Sequence, residues 1–473
     1  MRILFSTLLI STAVACAYGQ DTRQVTEPKI PSSCTVLTAA LTSHGSTLAE
    51  SDDSKPDTNR IQQALDRCKP GQAVELKAGG AHDAFLTAPL QLRQGVTLLV
   101  DKGAILFGSR NPRDYDLEPG VCGTITKTGH GCKPLISGDH VADAAIMGDG
   151  IIDGRGGAKM LGQNISWWEL AANAHRKGWG TQPAGSGGLQ NNPRMLILSK
   201  CDNFILYRIQ MRNGPNFAIS YSGGNGFTVW GVIINAPADA ANADGIDIGQ
   251  PWPPVPNNTT NITITHCYIH DGDDIVAFKA PVGYLTSHGT VIHNHFYTGH
   301  GISIGSATTG GVTAIRVSDL SIDGSDNGIR VKSNVKLGGW VRDVEYSDVC
   351  IRNTRYPLTV DPFYDSTGHE VDGTTSDHPP QFDLRLSDIL FQGGGNIVLK
   401  GLDAAHRSNI SLHNVFLEHP ESFKLAAVHA QIQQDGSNIA ASGDDVKLSG
   451  QPKGTPNACT GKFVPFPVPI AVK

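Results

Sequence analysis

A short aliphatic burst recurs along this chain at an almost constant interval, and no other feature limits its fold as much. Asp244-Gly-Ile246-Asp-Ile248, Asp274-Ile275-Val-Ala-Phe278, His300-Gly-Ile302-Ser-Ile304, Asn327-Gly-Ile329-Arg-Val331 and Tyr356-Pro-Leu358-Thr-Val360 share one pattern. The first aliphatic residues of these bursts, Ile246, Ile275, Ile302, Ile329 and Leu358, are almost evenly spaced. A second series lies between them: Ile262-Thr-Ile264, Val291-Ile292, Val317 to Leu320, and Val344 onward. Segments this short bury a face only by stacking on their neighbours, so the period marks a solenoid.

A propeller blade needs about 40–45 residues per repeat, well above this spacing, and the Leu/Asn ladder of leucine-rich repeats is absent. The expected fold is all-β: a right-handed parallel β-helix with about three short strands per turn. Glycine-rich composition (54 residues) suits its many turns. One helix is legible near 59–68. Asp57-Thr58-Asn59 can cap it, Ile61, Leu65 and Cys68 share a face, and Lys69-Pro70-Gly71 ends it. It is expected to cover the N-terminal strand edges. The repeat fades after Ser422, so residues 422–473 are expected to form a C-terminal cap or tail. No linker-like stretch divides the chain, and residues 20–473 are read as one domain.

Residues 1–19 read as a signal peptide: Arg2, an apolar run from Ile3 to Val14, and small residues around Ala15-Cys16-Ala17 or Ala17-Tyr18-Gly19. The run is too short to span a bilayer, and a secreted, extracellular protein is expected. Beyond it stand Cys34, Cys68, Cys122, Cys132, Cys201, Cys267, Cys350 and Cys459. An even count in an exported chain suggests disulfides, but eight cysteines allow 105 connectivities. Cys122 with Cys132 and Cys34 with Cys68 could each close locally. For Cys201 and Cys267, inside strand-like runs, a buried free thiol fits equally well. No Cys/His cluster has zinc spacing, and no cofactor is expected. The formal charge of −6 gives no sign of a nucleic-acid partner.

Equivalent positions on successive solenoid turns lie roughly 4.8 Å apart. The polar residues flanking the bursts should therefore stack: Asn242 and Asp244, then Asp273 and Asp274, then His300, then Arg330 and Lys332. Alone, Asp-Gly and Asn-Gly pairs are ordinary turn residues, and a single histidine or Asp-Asp pair is commonly a solvated group. Recurrence in phase gives them functional weight. The insertion from Gly156 to Asn192 carries Trp167-Trp168, which either overhang the patch or pack in the interior.

Asn242-Ala-Asp244, Gly272-Asp273-Asp274, Gly299-His300-Gly301 and Arg330-Val-Lys332 together resemble, in order and spacing, the four signature motifs of the polygalacturonases, glycoside hydrolase family 28. Tyr364 in Asp361-Pro-Phe-Tyr364-Asp365 resembles the family's substrate-binding tyrosine. Ala243 stands where Thr is common, Gly272 where Gln is also frequent, and Val331 where Ile is found. The resemblance implies an inverting hydrolase of polygalacturonate or pectin; endo action, and a monomer without a membrane partner, are further expectations. The resemblance also implies that Asp273 is the general acid, with Asp244 and Asp274 activating water and His300 tuning the acid. Asn242, Arg330, Lys332 and Tyr364 are then expected to bind substrate, the two cations facing its carboxylates. Two flanking carboxylates are expected to raise the pKa of Asp273. Exo cleavage, a Ca²⁺-dependent β-helix lyase and a non-catalytic glycan-binding β-helix are the alternatives.

Overall fold

The computed structural model describes residues 20–45, 47–176, 189–249, 256–364 and 376–471. The expected signal peptide lies outside them. Nearly all strand pairing is parallel. Eleven strands form a front sheet, from Leu90–Gln91 through Ile246–Ile248, Val276–Phe278, Ile302–Ile304 and Asn327–Lys332 to Phe423–Val428. Most of the others form two further columns that merge where one strand turns a corner without breaking, as in Thr286–Phe296, Thr308–Asp323 and Gly339–Arg352, while Ile125–Thr126 and Leu189–Gln190 pair antiparallel apart from them. Left-handed backbone makes that corner on successive turns, at His266, His293, Asp319, Asp348, Asp388 and Asn414. Asn and Asp adopt this conformation more readily than other side chains. The result is the expected parallel β-helix.

Two inward rows of the front sheet build its core. Ile246, Val276, Ile302, Ile329 and Leu358 lie in register, as do Ile248, Phe278, Ile304, Val331 and Val360, and all are fully buried. Each contributes about 1.5–3 kcal/mol of apolar transfer. The rows correct the sequence phase at one turn. Ile246 pairs with Val276, not with Ile275, so the step into that turn is longer, and the step out shorter, than the bursts suggest. Ile275 and Val276 are both fully buried, so the apolar pattern fitted either register.

Helix α1 (Thr58–Arg67) buries Ile61, Ala64 and Leu65 in the core, close to the expected bounds. Asp57 does not cap it through its side chain; its carboxylate instead accepts from Arg60 and from the Leu86 N–H. A second helix, α2 (Trp167–Arg176), was not expected. Its signal was present: Ser166 and Glu169 form a reciprocal capping box, Glu169 N–H to Ser166 Oγ at 3.2 Å and Ser166 N–H to Glu169 Oε2 at 2.7 Å.

The fading of the repeat after Ser422 did not mark the end of the solenoid. Phe423–Val428, Ala430–Ser437 and Lys447–Gln451 continue the parallel pairing. Leu425 lies in register with Ile397, which restores the usual step. The turn before it, from Leu358 to Ile397, is much longer than the others and hid the continuing period. Beyond Gln451 the chain returns along the outside of the coil. Cys459 is bonded to Cys350, Lys462 meets Asp319 and Asp348, and Asn235 holds Pro469 O and Ala471 N–H at 2.8 Å each. Cys34–Cys68 and Cys122–Cys132 are also bonded, whereas Cys201 and Cys267 are buried free thiols. No helix among the described residues is long and apolar enough to cross a membrane.

Ile304→Ala removes one rung between Phe278 and Val331 and is expected to cost about 2–5 kcal/mol. Denaturant unfolding of the variant checks this; a loss below about 1 kcal/mol would mean that the row is not closely packed.

Candidate active site

The same register that buries the aliphatic rows aligns polar side chains on the outer face. Asp247, Ala277, Ser303 and Arg330 form one outward row. The turn just before each strand supplies another, in which Asp244 is followed by Asp274 one turn on and His300 the next, with Gly245 N–H bonded to Asp274 O at 2.9 Å. Asp244, Asp273, Asp274, His300, Arg330 and Lys332 therefore gather at one place, as expected from their phase.

Tight backbone packing holds this patch. A side chain at Gly299 would strike Asp271 Oδ1, and its φ is +130°; one at Gly301, φ +60°, would strike Gly328 O. The glycines flanking His300 are thus steric requirements. Gly272 leaves no room either, because a Cβ there would sit 2.3 Å from Ala240 O. Ala243 packs with Ala236, Ala240 and the buried Trp168, whose Nε1–H donates to Gly214 O at 2.8 Å. Trp168 is interior packing behind the Asp244 turn and Trp167 packs in the main core against Tyr115, so neither overhangs the patch.

The three carboxylates occupy different electrostatic settings. Arg330 Nη2 meets Asp274 Oδ1, Lys332 Nζ lies 2.9 Å from its Oδ2, and Ser303 Oγ donates to Oδ1 at 2.8 Å. Burial opposes ionisation of Asp274, but Arg330, Lys332 and Lys279 outweigh it and hold its pKa well below the usual carboxylate range. Asp244 is the opposite case. Burial, then the charges of Asp273 and Asp247, push it well above that range, and its Oδ1 has no protein partner among the described residues.

Asp273 is the most accessible of the three, its side chain 24% exposed against 3% for Asp274. Its Oδ1 lies 3.0 Å from His300 Nδ1, and Asn242 Nδ2 donates to Oδ2 at 3.4 Å. Burial raises its pKa, yet the His300 hydrogen bond and charge prevail and bring it below the ordinary value. This reverses the sequence expectation: in the free protein the flanking carboxylates act mainly on Asp244, because His300 sits directly on Asp273.

Arg330 and Lys332 have a partner that the sequence did not reveal. Both are almost fully buried and bind Asp274. Tyr364 lies beside them, its ring centre 4.8 Å from Lys332 Nζ. Asn242 is turned by a left-handed φ of 54° and also accepts from Gln190 Nε2 at 2.8 Å.

Sequence reading missed four contributors. Asp247 and Lys279 form a buried pair at 2.7 Å, in which Asp247, with Asp244 and Asp274, holds the ammonium above its ordinary pKa against burial. Asp271 is fully buried beside the Asp273-Asp274 turn, and burial and Asp273 raise its pKa well above normal. Ser303 links Arg330 to Asp274. Asp247, Ser303 and Arg330 share one row, so counting in the correct register would have found the first two. Asp273, Asp274 and His300 offer ligand atoms within 4.8 Å of one another. A cation there would face Arg330 and Lys332, which already neutralise Asp274.

Lys332→Met is expected to destabilise the fold by about 3 kcal/mol at neutral pH, the scale of a broken buried ion pair. Because the folded-state pKa of Asp274 is depressed, this contribution exists above the unfolded carboxylate pKa and disappears as pH falls through the folded value. Denaturant titrations of both proteins should therefore converge in strong acid; a gap independent of pH would contradict the assignment.

Residues 86–433 match the model of the glycosyl hydrolases family 28. An endo-polygalacturonase of Pectobacterium carotovorum subsp. carotovorum is 38% identical over 90% of this chain and 97% of its own length. A polygalacturonase of Ralstonia nicotianae is 34% identical over 93% of this chain and 92% of its own. The solved polygalacturonase from Erwinia carotovora ssp. carotovora superposes with a TM-score of 0.77 at 37% identity, covering 87% of this chain and all of that one. With the carboxylate cluster seated on a parallel β-helix, these matches make the chain a member of glycosyl hydrolases family 28.

Proposed function

We propose that this protein is an endo-acting polygalacturonase, a glycosidase that hydrolyses internal bonds of polygalacturonate in pectin with inversion. The observation that carries the reading is the trio Asp244, Asp273 and Asp274, set by one register into three unlike environments. Glycoside hydrolysis needs one carboxyl to protonate the leaving oxygen and another carboxylate to activate water.

Asp273 is the general acid. It faces the open side and touches His300, which tunes its protonation through their hydrogen bond. A bound galacturonate carries its own negative charge to this position, and that charge raises the Asp273 pKa towards the protonated state. Asp274, kept ionised by Arg330 and Lys332, is the base, and Asp244 offers its unpartnered Oδ1 to the same water. Tyr364 and Asn242 border the sugar next to the cut. Arg330 and Lys332, beside Tyr364, hold Asp274 and also face the substrate's carboxylate, which limits repulsion of a polyanionic chain. Residues 20–473 work as one catalytic unit, as an exported monomer; the three disulfides support an oxidising compartment.

Asp273→Asn should lower kcat on polygalacturonate by about 10²–10⁴-fold with little change in KM. Reducing-end assays read this, and a variant that retained wild-type kcat would sink the assignment. Proton NMR of the first products should show the inverted anomer. Chromatography should show a ladder of intermediate oligomers, whereas monomer or dimer alone from the outset would mean exo action. Activity should persist in EDTA without an ultraviolet-absorbing unsaturated product; loss of activity with chelator would favour a Ca²⁺-dependent lyase.

A further inference from the structure

On the N-terminal side of the carboxylates a cavity of about 620 Å³ opens along the front sheet. It reaches Asn242, which hydrogen-bonds Asp273, so it is continuous with the catalytic patch. Its charged lining is predominantly basic: Lys133, Arg194 and Lys200 against Asp139, which already contacts His140 at 3.0 Å, while burial and Arg194 lower the pKa of His130 to about 4 and keep it uncharged.

Arg194 is the distinctive member. Met195 N–H bonds Phe217 O, and Ala218 N–H bonds Asp244 O. This ladder places Arg194 in the same row as Asp244, two turns towards the N-terminus, or about 10 Å by strand spacing. The guanidinium lies over the Phe217 ring, with Cζ 4.4 Å from its centre. Among the described residues no carboxylate or carbonyl receives a hydrogen bond from it, although Asp244 and Asp247 lie near enough to be felt. Burial pulls its pKa down, which those charges oppose. The guanidinium of Arg330, by contrast, is taken up by Asp274. A planar cation fixed by stacking, with its donors unspent inside a basic cavity, is built to receive a carboxylate in a two-pronged bond.

We propose that Arg194 grips the carboxylate of a substrate galacturonate lying along the cavity, and so makes this subsite demand a free, unesterified acid. The inference rests on the polygalacturonase reading and adds to it the residue that selects the charged form. Methyl esterification removes the anion and one acceptor, leaving the guanidinium unpaired.

Wild type, Arg194→Gln and Arg194→Lys are compared on polygalacturonate and on highly methyl-esterified pectin, with thermal unfolding of each as the folding control. On polygalacturonate, Arg194→Gln is expected to raise KM about 10- to 100-fold while kcat stays within a few-fold, the scale of one lost charge-assisted hydrogen bond. Arg194→Lys, which keeps the charge and stem but not the fork, should fall between. On esterified pectin the variants should approach wild type. A KM within twofold of wild type for Arg194→Gln, or an equal rise on both substrates, would overturn the subsite while leaving the polygalacturonase reading intact. Should Arg194→Gln fail to fold, an unchanged KM in Arg194→Lys overturns it alone. A wild-type protein inactive on polygalacturonate would overturn both readings.

Discussion

Everything in this molecule depends on the parallel register between successive turns. Aliphatic side chains interlock in rows inside the coil, and a one-residue slip would turn each of them outward. That penalty, repeated on every turn, fixes the outward residues at the same spacing. Charges that no short-range preference would bring together are thereby held side by side, and the core's apolar burial offsets their desolvation.

The active-site charges are sorted by what lies next to each in this lattice. Asp274 has two buried cations further along the coil and remains ionised. Asp244 has carboxylates beside it, and the buried cation that acts on it, Lys279, is already bound to Asp247. Asp273, off the row by one residue, meets His300 and the open side. Three chemically identical groups thus acquire different proton affinities through position alone.

Support for the patch comes from parts of the chain far away in sequence. The insertion helix places Trp168 behind the Asp244 turn. The C-terminal segment runs back along the coil and sets Phe466 against His270, which directly precedes the buried Asp271. At the other end, Asp21 accepts from Thr263 at 2.7 Å and Glu27 from Tyr207 at 2.7 Å, tying down the N-terminal stretch. These segments cross several turns and clamp the outside of the stack.

The sequence by itself determined the solenoid, because a period of short apolar strands has few ways to bury itself. It also brought together one charged cluster, since Asp244, Asp273, Asp274, His300, Arg330 and Lys332 recur in phase with that period. Tertiary structure decided the rest. It set the register at Ile275-Val276, where two adjacent buried residues leave the pattern ambiguous. It assigned Arg330 and Lys332 to Asp274, gave the raised pKa to Asp244 in place of Asp273, and brought in Asp247, Lys279, Asp271 and Arg194. Periodicity reports which residues share a row, whereas pairing and proton affinity depend on side-chain reach and burial across rows, which exist only once the turns are stacked.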